Sequence, residues 1–162
     1  MNHIQKKMPF ARLNIPPADV SVRPSAGGYE IFDPLRGRWV ELTPEEWVRQ
    51  HFSAWLIASK GFPRSLMANE VGITLNGLRR RCDTIAYDRT LRPAVVVEYK
   101  APAVNISQRV FDQIARYNMV LKARVLIVSN GLSHYCCRYT DDGYVFMSYV
   151  PDFSEVEAIQ NS

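Results

Sequence analysis

The chain has 162 residues, of which 47% are hydrophobic and 22% charged, and its formal net charge is +4 at pH 7. This suits one domain with a single sizeable core, and the basic balance permits a polyanionic partner without requiring one. No apolar run approaches the ~20 residues of a membrane helix, and MNHIQKKMPF has no apolar stretch behind its lysines, so neither a membrane partner nor an export signal is read and the expected location is the cytoplasm.

Residues 1–28 read as an irregular arm, because Pro9, Pro16, Pro17 and Pro24 forbid a long helix and Gly27-Gly28 closes the segment. Residues 29–150 read as one domain. Tyr29–Phe32 and Trp39–Leu42 flank a turn-like Asp33–Arg38 and predict a hairpin. Thr43-Pro44-Glu45-Glu46 opens a helix, with threonine as cap, proline at the first helical position and acids in the first turn. Its apolar stripe is Val48, Phe52, Trp55 and Leu56, and it ends near Ser59-Lys60-Gly61. On this phasing Glu45 lies inward with Val48, and Glu46 faces solvent.

Three strands follow. Leu66–Leu75 runs into Asn76-Gly77, a tight-turn pair. Arg79–Tyr87 is the second and Ala94–Tyr99 the third, whose Val95-Val96-Val97 run suits a strand buried on both faces. A second helix spans Ser107–Lys122 with Val110, Ile114, Tyr117 and Leu121 inward, followed by an apolar strand Arg124–Ser129. Tyr135–Tyr149 reads as a hairpin around Asp141-Asp142-Gly143, and residues 151–162 as a loose polar tail. The order predicts an α/β mixed sheet flanked by helices, with extra N- and C-terminal hairpins and a parallel crossover through the second helix.

The chemistry centres on the second and third strands. With the turn between Thr90 and Leu91, residues whose numbers sum to 181 face each other, which sets Asp83 opposite Glu98. Directly opposed side chains are ~5 Å apart, and two acids there repel. Lys100, two residues past Glu98, projects from the same face. Carboxylates so placed suit Mg²⁺, with Mn²⁺ as substitute. A metal polarises a phosphate and activates water, and a lysine beside it stabilises the developing charge. Glu45 has two readings, a further metal ligand or an acid complementing the helix dipole. Gln113 and Tyr117, four apart on one helical face, either shape the site or are ordinary helix surface and core. Arg79, Arg80 and Arg81 are either a solvated run or a phosphate-positioning edge that binds DNA. Cys82, Cys136 and Cys137 lack metal-site spacing, and His51 and His134 lack a partner pattern, so structural roles are expected.

These residues carry a resemblance. Thr-Pro-Glu-Glu-Trp-Val-Arg-Gln (43–50), Asn-Gly-Leu-Arg-Arg-Arg-Cys-Asp (76–83), Val-Glu-Tyr-Lys-Ala-Pro (97–102), Phe-Asp-Gln-Ile-Ala-Arg-Tyr-Asn (111–118) and Val-Ser-Asn-Gly (128–131) together resemble the N-terminal nuclease domain of type I restriction enzyme R subunits. The resemblance implies a PD-(D/E)xK-type αβββαβ core and Mg²⁺-dependent DNA cleavage. It implies Asp83 and Glu98 as metal ligands, Lys100 as catalytic lysine, Glu45 as the first-helix glutamate, and Gln113 with Tyr117 as the Q-x-x-x-Y pair. It further implies motor, specificity or methylation subunits as partners. Cys82 stands where the superfamily name has proline, and no G-x-x-x-x-G-K phosphate loop occurs, so no ATPase motor is expected in this chain. Double-strand cleavage from one site would call for a homodimer. The competing expectation is a nucleic-acid-binding or assembly module of the same fold with weak catalysis.

Overall fold

A computed structural model describes Phe10 and residues 12–159. The N-terminal part forms a small antiparallel sheet of β1 (Val22–Ser25), β2 (Gly28–Asp33) and β3 (Arg38–Glu41). The predicted hairpin is therefore present, with an added strand from a stretch expected to be irregular. Leu13 and Ile15 are buried in the main core, so this portion of the arm is packed down; residues 1–9 and 11, Pro9 among them, lie outside the described residues.

Helix α1 (Pro44–Ser59) starts as its residues require: Thr43 Oγ1 accepts the Glu46 backbone N–H at 3.1 Å, and Pro44 occupies the first turn. It stops at Lys60, and Gly61 takes a left-handed φ of 71° while the Phe62 N–H returns to the Leu56 carbonyl.

Strands β4 (Met67–Leu75), β5 (Leu78–Tyr87) and β6 (Pro93–Tyr99) form an antiparallel meander. Helix α2 (Gln108–Leu121) crosses to β7 (Val125–Ser129), which pairs parallel with β6, and β8 (His134–Thr140) and β9 (Gly143–Met147) complete the sheet in sequence order. Asn76 and Gly77, with φ of 49° and 75°, make the β4–β5 turn. The αβββαβ order and mixed sheet are thus those expected.

Val95, Val96 and Val97 are fully buried because both faces of the sheet are covered. One face packs against α1, the N-terminal sheet and the chain's last helix, through residues including Val48, Phe52, Leu56, Val95 and Val97. The other packs under α2, through Ile85, Val96, Ile114, Tyr117 and Val128. Of the stripes predicted, Val48, Phe52 and Leu56 are fully buried, while Trp55, Val110 and Leu121 are half-buried at the edges. Gly131 is required by a close approach: its φ is +83°, and a Cβ there would lie 2.7 Å from Leu13 Cδ2.

The C-terminal expectation needs correcting. After Pro151 the chain forms a third helix, α3 (Phe153–Ala158), in which Phe153 and Val156 are buried. Phe153 meets Phe62 edge-on at 5.4 Å, its N–H reaches the Lys60 carbonyl, and the Glu155 carboxylate accepts the Asp152 N–H. Only residues 160–162 of the expected tail lie outside the described residues. Phe153→Ala should lower unfolding stability by about 3 kcal/mol, the usual cost of deleting a buried aromatic ring, as read from a urea titration; a change within ~0.5 kcal/mol would mean that the helix is not docked.

Candidate active site

The β5–β6 ladder runs Ala86↔Val95, Ile85↔Val96 and Thr84↔Val97, the register in which residues sum to 181. It then stops. Asp83, next on β5, places its side chain where a strand carbonyl would be, and its Oδ2 accepts the Tyr99 backbone N–H at 2.8 Å. Beyond this point β5 is paired only with β4, through Val71↔Cys82 to Leu75↔Leu78, so the two strands continue as an arm away from β6. Opposite Asp83 the β4–β5 register skips Glu70, which adopts φ 57°, a strained value for a glutamate. The irregularity sits where the sheet divides, and the acids gather there.

Glu98 follows the valine run and is 6% exposed. By alternation it projects with Val96 and Lys100 from the α2 face. Burial, then the Asp83 charge, push Glu98 up to about 8, and Lys100 opposes this. Burial also raises Asp83, opposed by the Tyr99 N–H and by Arg49. Glu98 Oε2 is buried without a hydrogen-bond partner. Asp83 and Lys100 are therefore both near enough for their charges to act on Glu98.

The helix phase assigned to the two glutamates is reversed. Glu45 is exposed, and Glu46 is buried, bonded to Arg36 and 3.1 Å from Arg49. The Glu45 charge nevertheless adds to the upward push on both Asp83 and Glu98. Among the described residues no three His, Cys, Asp or Glu side chains converge closely enough to hold an ion by themselves. The acid centre is a pair with outlying carboxylates, and a hard cation there would need to complete its shell with water, backbone or phosphate oxygens.

Gln113 and Tyr117 bond each other at 3.1 Å. Tyr117 is buried in the α2-side cluster with Cys82 and Val96, neighbours of Asp83 and Glu98, and among the described residues no hydrogen bond joins the pair to the acids. Arg79, Arg80 and Arg81 are exposed on the β4–β5 arm, and Arg81 lies 3.7 Å from Glu70. Cys82, Cys136, Cys137 and His51 are buried. Burial pushes Cys82 and Cys136 up to about 12 and Cys137 up to about 11. His51 Nδ1 lies 2.8 Å from the Trp47 carbonyl, and burial lowers both His51 and His134.

Sequence reasoning missed Arg49 and Glu70. Arg49 is 5% exposed and its guanidinium reaches Glu70 at 2.6 Å, Glu46 at 3.1 Å and Asp83 at 3.3 Å, with the Tyr99 ring 5.8 Å away. It fixes Asp83 from the side opposite the Tyr99 N–H. A signal was present: Glu46, Arg49, Gln50 and Ser53 repeat at helical spacing, and all four are buried. Nothing local marks Glu70, whose role depends on a strand irregularity.

The raised Glu98 carboxyl has a consequence for stability. Its folded-state value of about 8 exceeds the ordinary 4.5, so the folded protein holds a proton that the unfolded chain has released, and stability should fall as pH rises through that interval. Thermal midpoints measured across this range in chelator should show the decline, and Glu98→Gln should flatten it; an unchanged slope would mean that Glu98 ionises normally.

Comparison with known proteins identifies a family. The type I restriction enzyme R protein N-terminus matches residues 44–151, well over half the chain. Among solved structures, a fragment assigned as an HsdR subunit of a type I restriction enzyme from Vibrio vulnificus YJ016 superimposes with a TM-score of 0.57 at 18% identity, covering 72% of this chain. The match spans 25% of that structure. No curated protein matches the chain. The fold is shared with that fragment, and by the extent of the family match the chain belongs to the type I restriction enzyme R protein N-terminal family.

Proposed function

We propose that this domain is a divalent-metal-dependent DNA endonuclease of a restriction-modification system. The observation that carries the reading is the Asp83–Glu98 pair: burial raises both carboxyls, the Asp83 charge raises Glu98 further, and Glu98 Oε2 is buried without a hydrogen-bond partner. Burying two acids together is unfavourable unless a cation or proton joins them, and an orphaned carboxylate oxygen suits a hard metal ion. Asp83 and Glu98 would hold Mg²⁺ or Mn²⁺, and Glu45 would add negative potential or a further ligand. When bound, the ion would polarise the scissile phosphate and lower the pKa of water.

The remaining groups are assigned by position. Lys100 faces Glu98 and is half-buried, so its ammonium can stabilise charge developing on the phosphate oxygens. Arg49 holds Asp83 through Oδ1 while the Tyr99 N–H holds Oδ2, which fixes the carboxylate plane. Gln113 and Tyr117 brace each other on the covering helix and shape the α2 side of the pocket. Arg79, Arg80 and Arg81 offer exposed forks for DNA phosphates. Family membership supports further partners, namely the motor, specificity and methylation subunits of a restriction system.

One observation favours a second reading. Arg49 already neutralises Asp83, and among the described residues no third ligand closes on the pair, as in a binding or assembly module with weak catalysis. Incubation with supercoiled plasmid separates the two. With Mg²⁺ or Mn²⁺ the wild-type protein should nick or linearise DNA, and Lys100→Ala should slow this about a hundredfold or more with an unchanged unfolding midpoint. DNA binding without cleavage in either metal would favour the module.

A further inference from the structure

We propose that the small N-terminal sheet forms part of the nucleic-acid-binding surface, its Arg38 joining Arg79, Arg80 and Arg81 in one groove that holds a DNA phosphate backbone leading to the acid pair. This rests on the nuclease reading and extends it to a part of the chain that precedes the family match, which begins at residue 44.

The groove lies between the β2–β3 hairpin and the β4–β5 arm and has a volume of about 940 Å³. Arg36, Arg38, Arg79, Arg80 and Arg81 line it, with Glu70 as the acid among them. Arg36 is committed to Asp33 and Glu46. Arg38 and Arg79 make no ion pair among the described residues, and Arg81 has only the long contact to Glu70. Glu70 itself is held at 2.6 Å by Arg49. Arg38, Arg79, Arg80 and Arg81 therefore line one groove in which Glu70 is the acid. Such an arrangement is repulsive in the free protein and is relieved by a polyanion; arginine forks match phosphate oxygens in geometry as well as charge.

Position gives the groove a direction. Its inner end, at Glu70, is one guanidinium away from Asp83, since Arg49 touches both. Its outer wall is fixed rather than loosely tethered: Asn69 donates to Asp33 at 3.0 Å, Arg64 donates to the Pro34 carbonyl at 2.9 Å, and Arg36 bonds Glu46 on α1. The hairpin therefore holds Arg38 in place across from the arm. A strand whose phosphates follow the groove would be delivered to the point where β5 leaves β6.

The test is DNA binding by the full chain in the cleavage-deficient Lys100→Ala background, using fluorescence anisotropy with a short duplex and its single strand over a range of KCl. Arg38→Glu should weaken binding about tenfold near 0.1 M salt and reduce the salt slope by about one to two phosphates, as should Arg79→Glu. Arg23→Glu makes the same change in net charge on the same small sheet but outside the groove, and should bind as the parent does. If Arg38→Glu and Arg23→Glu behave alike while Arg79→Glu is impaired, the sheet is not part of the surface and this inference fails with the nuclease reading intact. If the parent binds neither DNA and wild type does not cleave, both fall. Unchanged unfolding midpoints for these exposed positions would establish that the losses are not misfolding.

Discussion

Two carboxyl groups whose ionisation burial disfavours, Asp83 and Glu98, set the terms for the rest of this molecule. Asp83 and Glu98 are brought together because the β5–β6 ladder ends one residue short of them, and Asp83 spends one oxygen on the Tyr99 N–H that the ladder leaves free. The price of that proximity is electrostatic: burial and mutual repulsion hold a proton on Glu98 well above the ordinary carboxylate range. Surrounding charges then take up defined positions. Arg49 sits against Asp83, Lys100 against Glu98, and Glu45 and Glu70 at the edges.

The fold holds this arrangement through a buried polar chain. Tyr99 Oη donates to Thr84, Thr84 to Asn69, and Asn69 to Asp33, which belongs to the N-terminal sheet. Arg36 extends the chain to Glu46, and Glu46 to Arg49 and so to Asp83. Removing one member of such a network leaves others buried and unsatisfied, at 1–3 kcal/mol or more for each such group, as a rough scale. The N-terminal sheet is thus coupled to the acid pair by hydrogen bonds, although it lies before the segment that matches the family. That coupling is why the sheet can contribute both to the rigidity of the centre and to a groove beside it.

Much of this was legible in local patterns. The Val95-Val96-Val97 run announced a central strand, Asn76-Gly77 a tight turn, and Thr43-Pro44 a helix start; each depends on backbone preferences of a few adjacent residues. The register that aligns Asp83 with Glu98 agrees with the reading from turn position only because a shift between Ala86 and Tyr87 offsets a turn that pairs Tyr87 with Pro93. What failed involved charge partners that no apolar pattern marks, some of them distant in sequence. Glu46 is buried because Arg36 and Arg49 neutralise it, and no apolar stripe reveals that. Arg49 meets Asp83 from 34 residues away. The docked α3 had a local signature, Asp152 and Glu155 three residues apart beside Phe153 and Val156, but its short length hid the apolar spacing.

The central claim is that the acid pair is a cation site. Anomalous diffraction from crystals soaked in Mn²⁺ tests it most directly. The account predicts one strong peak about 2.1–2.3 Å from oxygens of both Asp83 and Glu98, consistent with a hard divalent ion. A peak elsewhere, or none in this pocket with both side chains well ordered, would contradict it.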